Sequence, residues 1–183
     1  MHWWNEQFEK QAQSADFWFL QATRLRHAAD ILAKKHGEEL ARFTESPEDF
    51  LANEMRDGRN ISIELFPIYL LLFGLSLENL VKGILVARNP TRFSDSRRLN
   101  HGLTDYILEC GLTPDDRRRD LLMDLEAVVL WKGRYPTPKA LGQWRLRHGR
   151  NGSGQMPGAV APGERHELES LYADLCKLHC SET

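Results

Sequence analysis

The chain has 183 residues, of which 42% are hydrophobic and 27% charged, and its formal net charge is -2. This length fits one domain with its own hydrophobic core, and the small net charge argues against a protein that binds polyanions through its bulk charge. The three cysteines form no disulfide framework, so we expect reduced thiols in a cytoplasmic protein.

The N-terminal part predicts two helices. Residues 4–36 carry apolar side chains at the spacing of an amphipathic helix, and Gly37 is placed to end it. Residues 46–49 are typical of a helix start, because Ser46 can cap the first turn and Pro47 suits its first position. We expect this second helix to run to about Asp57.

The most apolar stretch, residues 61–89, predicts a central helix around which the others pack. It is apolar on nearly all sides, as a helix buried in a core is. Its uncharged run, residues 65–77, has 13 residues, whereas a membrane span needs roughly 20. We therefore expect a core helix and no membrane partner. Pro67 predicts either a helix start near Leu65 or a kink.

The C-terminal part predicts further helices with short connections. Gly111 is placed to end one of them, and Thr113-Pro114 resembles the start at Ser46-Pro47. The whole chain, residues 1–183, is therefore predicted to be a single all-α domain, an antiparallel bundle of about six helices, with a flexible basic loop at 145–163. The predicted helices after the central one are 103–110, a helix from Thr113-Pro114 to about Trp131, a short helix to about Arg147, and 164–180.

Three polar residues interrupt the apolar central helix: Glu78, Asn79 and Lys82. Glu78 and Lys82 are four positions apart with the acid first, which is the favourable order for an ion pair on one helix face. Two interpretations stay open. The residues could form the floor of a binding pocket, or an intrahelical pair on a partly exposed face with Asn79 bonding a neighbouring loop.

The most uneven charge lies between residues 127 and 163, which include six Lys or Arg residues and no Asp or Glu. Trp131, Tyr135 and Trp144 alternate with these cations, a composition that suits phosphate contact and base stacking. A solvated loop whose aromatics pack on the core is the alternative. His101 precedes a predicted helix, where it could cap the backbone or titrate near neutral pH.

The cysteines and histidines show no metal-ligand spacing. Cys176 and Cys180 share a helix face next to His179, but no paired CxxC accompanies them. Phosphate-cradling loops and hydrolase motifs are also absent from the sequence. We expect neither a metal nor a cofactor.

Three short motifs together resemble the HEPN superfamily of small bacterial all-helical domains. They are LSLENLVKG at 75–83, NHGL at 100–103 and WKGRYP at 131–136. The resemblance implies a helical bundle that is often a homodimer. Many HEPN proteins are toxins or defence ribonucleases, and others only bind nucleotide or partner proteins.

Ribonucleases of that superfamily use an Arg followed, after four to six residues, by a His. Here three residues separate Arg97 from His101, so the pair departs from the pattern. Arg97 and His101 are the two catalytic candidates, with His as general base and Arg stabilising the phosphorane. The spacing nevertheless argues against catalysis.

Our leading hypothesis is a non-catalytic HEPN-like binding or regulatory domain that recognises nucleotide, RNA or a partner protein. Its groove would lie between the central helix and residues 131–136, with Arg134 holding a phosphate and Tyr135 stacking on a base. The residues predicted to converge there are Glu78, Lys82, His101, Arg134 and Tyr135. Alternatively, the charged ones form a structural network. Two other functions remain: a metal-independent ribonuclease of a toxin or phage-defence system, and an interaction protein whose basic segment binds an acidic partner.

Overall fold

The computed structural model describes residues 2–50, 52, 61–93, 102–132 and 162–182. Every regular element among them is helical, which confirms the all-α bundle. Residues 47–50 are also helical, as the start at Ser46 predicted. The bounded elements are α1 (His2–Ala12), α2 (Ala15–Glu45), α3 (Ile61–Arg88), α4 (Leu103–Glu109), α5 (Asp116–Ala127) with a π-helical turn after it (Val128–Lys132), and α6 (Pro162–Glu182).

Helix α3 is the centre of the bundle, as its apolar sequence predicted, and it continues through Pro67. Ser76 on α3 donates to the Ala22 carbonyl of α2 at 2.8 Å, while the His36 and Phe66 rings lie 5.1 Å apart. Higher numbers on α2 therefore meet lower numbers on α3, so the two long helices are antiparallel. Much of the core lies along this contact, including Ala22, Ala29, Ala33, Phe73 and Leu77.

The prediction of a single helix over residues 4–36 is wrong in two respects. The helix is interrupted at Gln13 and Ser14, where the Ser14 side chain accepts a hydrogen bond from the Phe17 amide at 3.3 Å and caps the start of α2. Gly37 does not end α2, which continues to Glu45. The Gly37 backbone has no positive φ, and the residue lies within the helix.

Helix α4 ends where Gly111 predicted. Gly111 has φ +90°, its amide donates to the Leu108 carbonyl, and the Leu112 amide donates to the Ile107 carbonyl. These two bonds form a Schellman motif, which satisfies carbonyls at the helix end. Arg88 of α3 adds a 3.0 Å bond to the Cys110 carbonyl and thereby joins the ends of α3 and α4.

Helix α5 starts two residues later than Thr113-Pro114 predicted. Its N-cap is Asp115, whose carboxylate accepts from the Arg118 amide at 2.8 Å, so Thr113 is not the cap. The apolar side chains of α5 and of the turn after it are buried: Leu121, Leu122, Leu125, Val128 and Val129. A Cβ at Gly74 of α3 would lie 2.7 Å from Val129, so the glycine permits this close packing.

Helix α6 begins at Pro162, so the last two residues of the loop predicted at 145–163 are helical. Of the leucines that helical spacing places on one face of α6, Leu168, Leu171 and Leu175 are buried, whereas Leu178 is only partly buried. The rest of that loop and the short helix predicted to about Arg147 lie outside the described residues.

Within the described part of the chain, Leu65–Arg88 is long and apolar enough to cross a membrane by length and composition. Its most apolar 18-residue window is 72% buried inside the bundle. The core helix of a globular protein meets the same criterion.

Candidate functional site

A buried ion pair lies at the middle of α3. The Lys82 Nζ is 2.5 Å from the Glu78 Oε1, and the two side chains are only 5% and 6% exposed. The spacing of one helical turn brings both side chains to the same face. Burying two charges is costly unless each is paired, and this contact provides that pairing. One interpretation of the sequence predicted a partly exposed ion pair, whereas the pair in the structure is buried.

Three aromatic rings surround the Lys82 ammonium. Its Nζ lies 5.5 Å from the Trp18 ring, 5.5 Å from the Tyr106 ring and 6.0 Å from the Phe93 ring. Each distance is within the range of a cation–π interaction. We call Lys82, Glu78 and these three rings the aromatic box.

Each ring comes from a different segment. Trp18 lies in the first turn of α2, and its indole Nε1 donates to the Ala12 carbonyl at the end of α1 at 3.0 Å. Phe93 lies in the turn that follows α3, five residues after Arg88, and packs edge to face on Tyr106 of α4 at 5.6 Å. The aromatic box therefore connects α1, α2, α3 and α4 at one point.

The aromatic box adjoins the segment that carries two predicted site residues. Phe93 is the last described residue before 94–101, and Gly102 is the first after it. On the far side, the amide of Thr104 donates to the Glu126 side chain of α5 at 2.6 Å, which caps the start of α4. The described residues on either side of 94–101 are thus held by the packing of Phe93 and by the cap at the start of α4.

The predicted site residues divide into two groups. Glu78 and Lys82 are brought together, and both are buried. Arg97, His101, Arg134 and Tyr135 lie outside the described residues. The π-helical turn Val128–Lys132 immediately precedes the GRYP part of the third motif, and such turns occur often at functional sites.

Asn79 differs from its sequence-based interpretation. Its Nδ2 donates to the Leu75 carbonyl on the same helix at 2.6 Å, rather than to a neighbouring loop. Asn79 therefore closes a hydrogen bond within α3.

Sequence reasoning missed the three rings of the aromatic box. Trp18 could have been found, since it lies three residues after Ala15 and four before Ala22 on the predicted apolar face. Phe93 and Tyr106 carry no such pattern, because their contact with Lys82 depends on how α4 folds back on α3. No group of three or more His, Cys, Asp or Glu side chains in the described ranges could hold a metal ion.

Comparison with protein-family models, with curated proteins and with solved structures gave no match to this chain. The case for a function therefore has to come from the chain's own residues.

Proposed function

We propose that this protein is a non-catalytic HEPN-like domain that binds RNA or a nucleotide through its basic segment, residues 132–150. Arg134 contacts a phosphate, Tyr135 stacks on a base, and segment 94–101 with His101 completes the surface. The observation that carries the proposal is the contrast between this segment's unbalanced charge and the ion pairs between cations and acids in the described part of the chain.

In the described part of the chain, several cations lie close to acids. Arg92 makes two bonds to Glu109, at 2.7 and 2.9 Å, and Arg118 lies 3.3 Å from Asp174. Residues 127–163 have six Lys or Arg and no acid of their own. Such a concentration of positive charge attracts phosphates and releases their counterions on binding.

The aromatic box supports the proposal through its place in the sequence. Lys82 is 4% exposed and neutralised by Glu78, so it offers little area to a ligand. The rings of the aromatic box include Phe93 and Tyr106, which lie on either side of segment 94–101 in the sequence. On this proposal Glu78 and Lys82 act as the scaffold, and the ligand contacts fall to His101, Arg134 and Tyr135.

The test is RNA binding measured by fluorescence anisotropy with a short single-stranded RNA over a series of salt concentrations. Arg134→Ala should weaken binding and reduce the slope of log K against log salt by about one, because one phosphate contact is lost. Arg24→Ala is the matched control, since Arg24 lies on the exposed face of α2. Equal affinity of wild type and Arg134→Ala would refute the site.

The same RNA, incubated without metal and run on a gel, tests the non-catalytic part of the proposal. We expect intact RNA. Cleavage that disappears in His101→Ala would instead identify the ribonuclease alternative. Binding of an acidic protein with no affinity for RNA would support the interaction-protein alternative.

A further inference from the structure

On the far side of α3 from the aromatic box, a polar cluster joins α2, α3 and α6. Arg26 of α2 lies between the Phe73 and Tyr172 rings, with its guanidinium 4.9 and 4.8 Å from their centroids. It bonds to Asp30 at 2.9 Å and also to Glu169 of α6. Both acids therefore have their strongest partner in Arg26.

Tyr69 of α3 is left with an unmet donor in this cluster. The side chain is 1% exposed, and among the described residues its hydroxyl has no hydrogen-bond partner. Burial raises the pKa of Tyr69 to about 12, so the hydroxyl keeps its proton and remains a donor at neutral pH. Buried polar groups in native proteins nearly always have a partner, whether protein, water or ligand.

Arg165 is the second group with donors to spare. Its guanidinium lies 5.6 Å from the centre of the Tyr69 ring, and its Nε is 3.7 Å from Glu169, too far for a hydrogen bond. Its side chain is 46% exposed, so a solute can reach it. Arg165 also lies in the first turn of α6, where backbone N–H groups have no partner within the helix and favour negative charge.

We propose that Tyr69 and Arg165 form a binding site for a small oxyanion, a phosphate or carboxylate group, at the N-terminal end of α6. The unmet demand at this place is for acceptors, because the Tyr69 hydroxyl has a hydrogen to donate and Arg165 only donates, while Asp30 and Glu169 are engaged by Arg26. A carboxylate offers only acceptors, and a phosphate group offers more acceptors than donors. Since the two arginines and two acids balance in charge, the site recognises the ligand through directed donors, and we expect affinity in the millimolar range.

The experiment is titration calorimetry of the whole chain with inorganic phosphate and, separately, with acetate, at constant ionic strength. The wild type should bind at least one of them. Tyr69→Phe should weaken that binding about fivefold, the equivalent of one hydrogen bond. Arg165→Gln should weaken it at least as much. Arg117→Gln is the matched control, because Arg117 is an exposed arginine of α5 that pairs with Glu167.

Thermal unfolding of wild type and Tyr69→Phe with and without phosphate, at constant ionic strength, gives an independent reading. Phosphate should raise the melting temperature of the wild type more than that of Tyr69→Phe, because a ligand stabilises the folded state that binds it. An equal rise in both proteins would mean that the hydroxyl does not contact the anion. That result, or no anion binding by the wild type, overturns the site. The RNA-binding proposal is tested separately, since Arg134→Ala should leave phosphate binding at Tyr69 unaltered and Tyr69→Phe should leave RNA affinity unaltered.

Discussion

The ammonium of Lys82 and the carboxylate of Glu78 meet at 2.5 Å inside the bundle, one turn apart on the most apolar helix of the chain. Because the pair is buried, losing one partner should destabilise the fold more than the loss of a surface pair would. A surface pair contributes up to about 1 kcal/mol, whereas removing one partner of a buried pair leaves an uncompensated charge.

Glu78→Gln should lower the free energy of unfolding by about 3–5 kcal/mol, because Lys82 would stay buried without its counter-charge. Urea denaturation followed by circular dichroism measures this. The double variant Glu78→Gln, Lys82→Met should regain much of the loss, since it removes both charges and keeps an unbranched side chain among the rings. Arg119→Gln, which breaks the exposed pair with Asp116, is the control and should change stability by less than about 1 kcal/mol. A Glu78→Gln loss as small as that of the control would contradict the prediction.

Two glycines of the long helices should respond to alanine in opposite directions. A Cβ at Gly83 would lie 2.6 Å from the Phe19 ring, so Gly83→Ala must displace that ring and should cost about 1–3 kcal/mol. A Cβ at Gly37 would meet nothing within 4 Å, and Gly37→Ala should stabilise α2 by about 0.5–1 kcal/mol. Thermal melts of the two variants beside the wild type decide this. Changes of the same sign would mean that the packing of α2 on α3 differs from that seen here.

A comparison of Gly37 with Gly111 shows which parts of the fold could be predicted from sequence. The course of α3 and the stop at Gly111 follow from local chemistry, namely an apolar run and a residue that tolerates positive φ. Gly37 has the same local chemistry as Gly111, but α2 continues past it to Glu45, and the Lys35–Glu39 ion pair at 2.6 Å spans the glycine. Side-chain pairs one turn apart stabilise a helix and can offset the weak helix propensity of one glycine.

The candidate site could be predicted only in part for a related reason. The pairing of Glu78 with Lys82 is a property of spacing along one helix, and sequence reveals it. The burial of the pair cannot be read from the sequence, because it requires Trp18 from α2 and Tyr106 from α4 to pack against the ammonium. Contacts between segments far apart in the chain leave no periodic trace in any one of them.

Stability in acid should depend on the pair between Arg92 and Glu109. Hydrogen bonds from Arg92 lower the pKa of Glu109 below its ordinary 4.5 in the folded protein. A carboxyl whose pKa falls on folding stabilises the protein above its unfolded pKa, and that contribution disappears as the pH falls through the folded value. Stability from this pair should therefore be complete above about pH 4.5 and be lost progressively below it.

Glu109→Gln tests this assignment. The variant should be less stable than the wild type at pH 7 by about 0.2–1 kcal/mol, the range for an exposed pair, and the difference should shrink toward zero as the pH falls below 4.5. Urea midpoints measured at intervals from pH 7 to about pH 3 give both quantities. Glu9→Gln, at an exposed position of α1, controls for the loss of one negative charge. A difference between Glu109→Gln and wild type that persists undiminished in acid would show that the ionised carboxylate of Glu109 does not join α4 to Arg92.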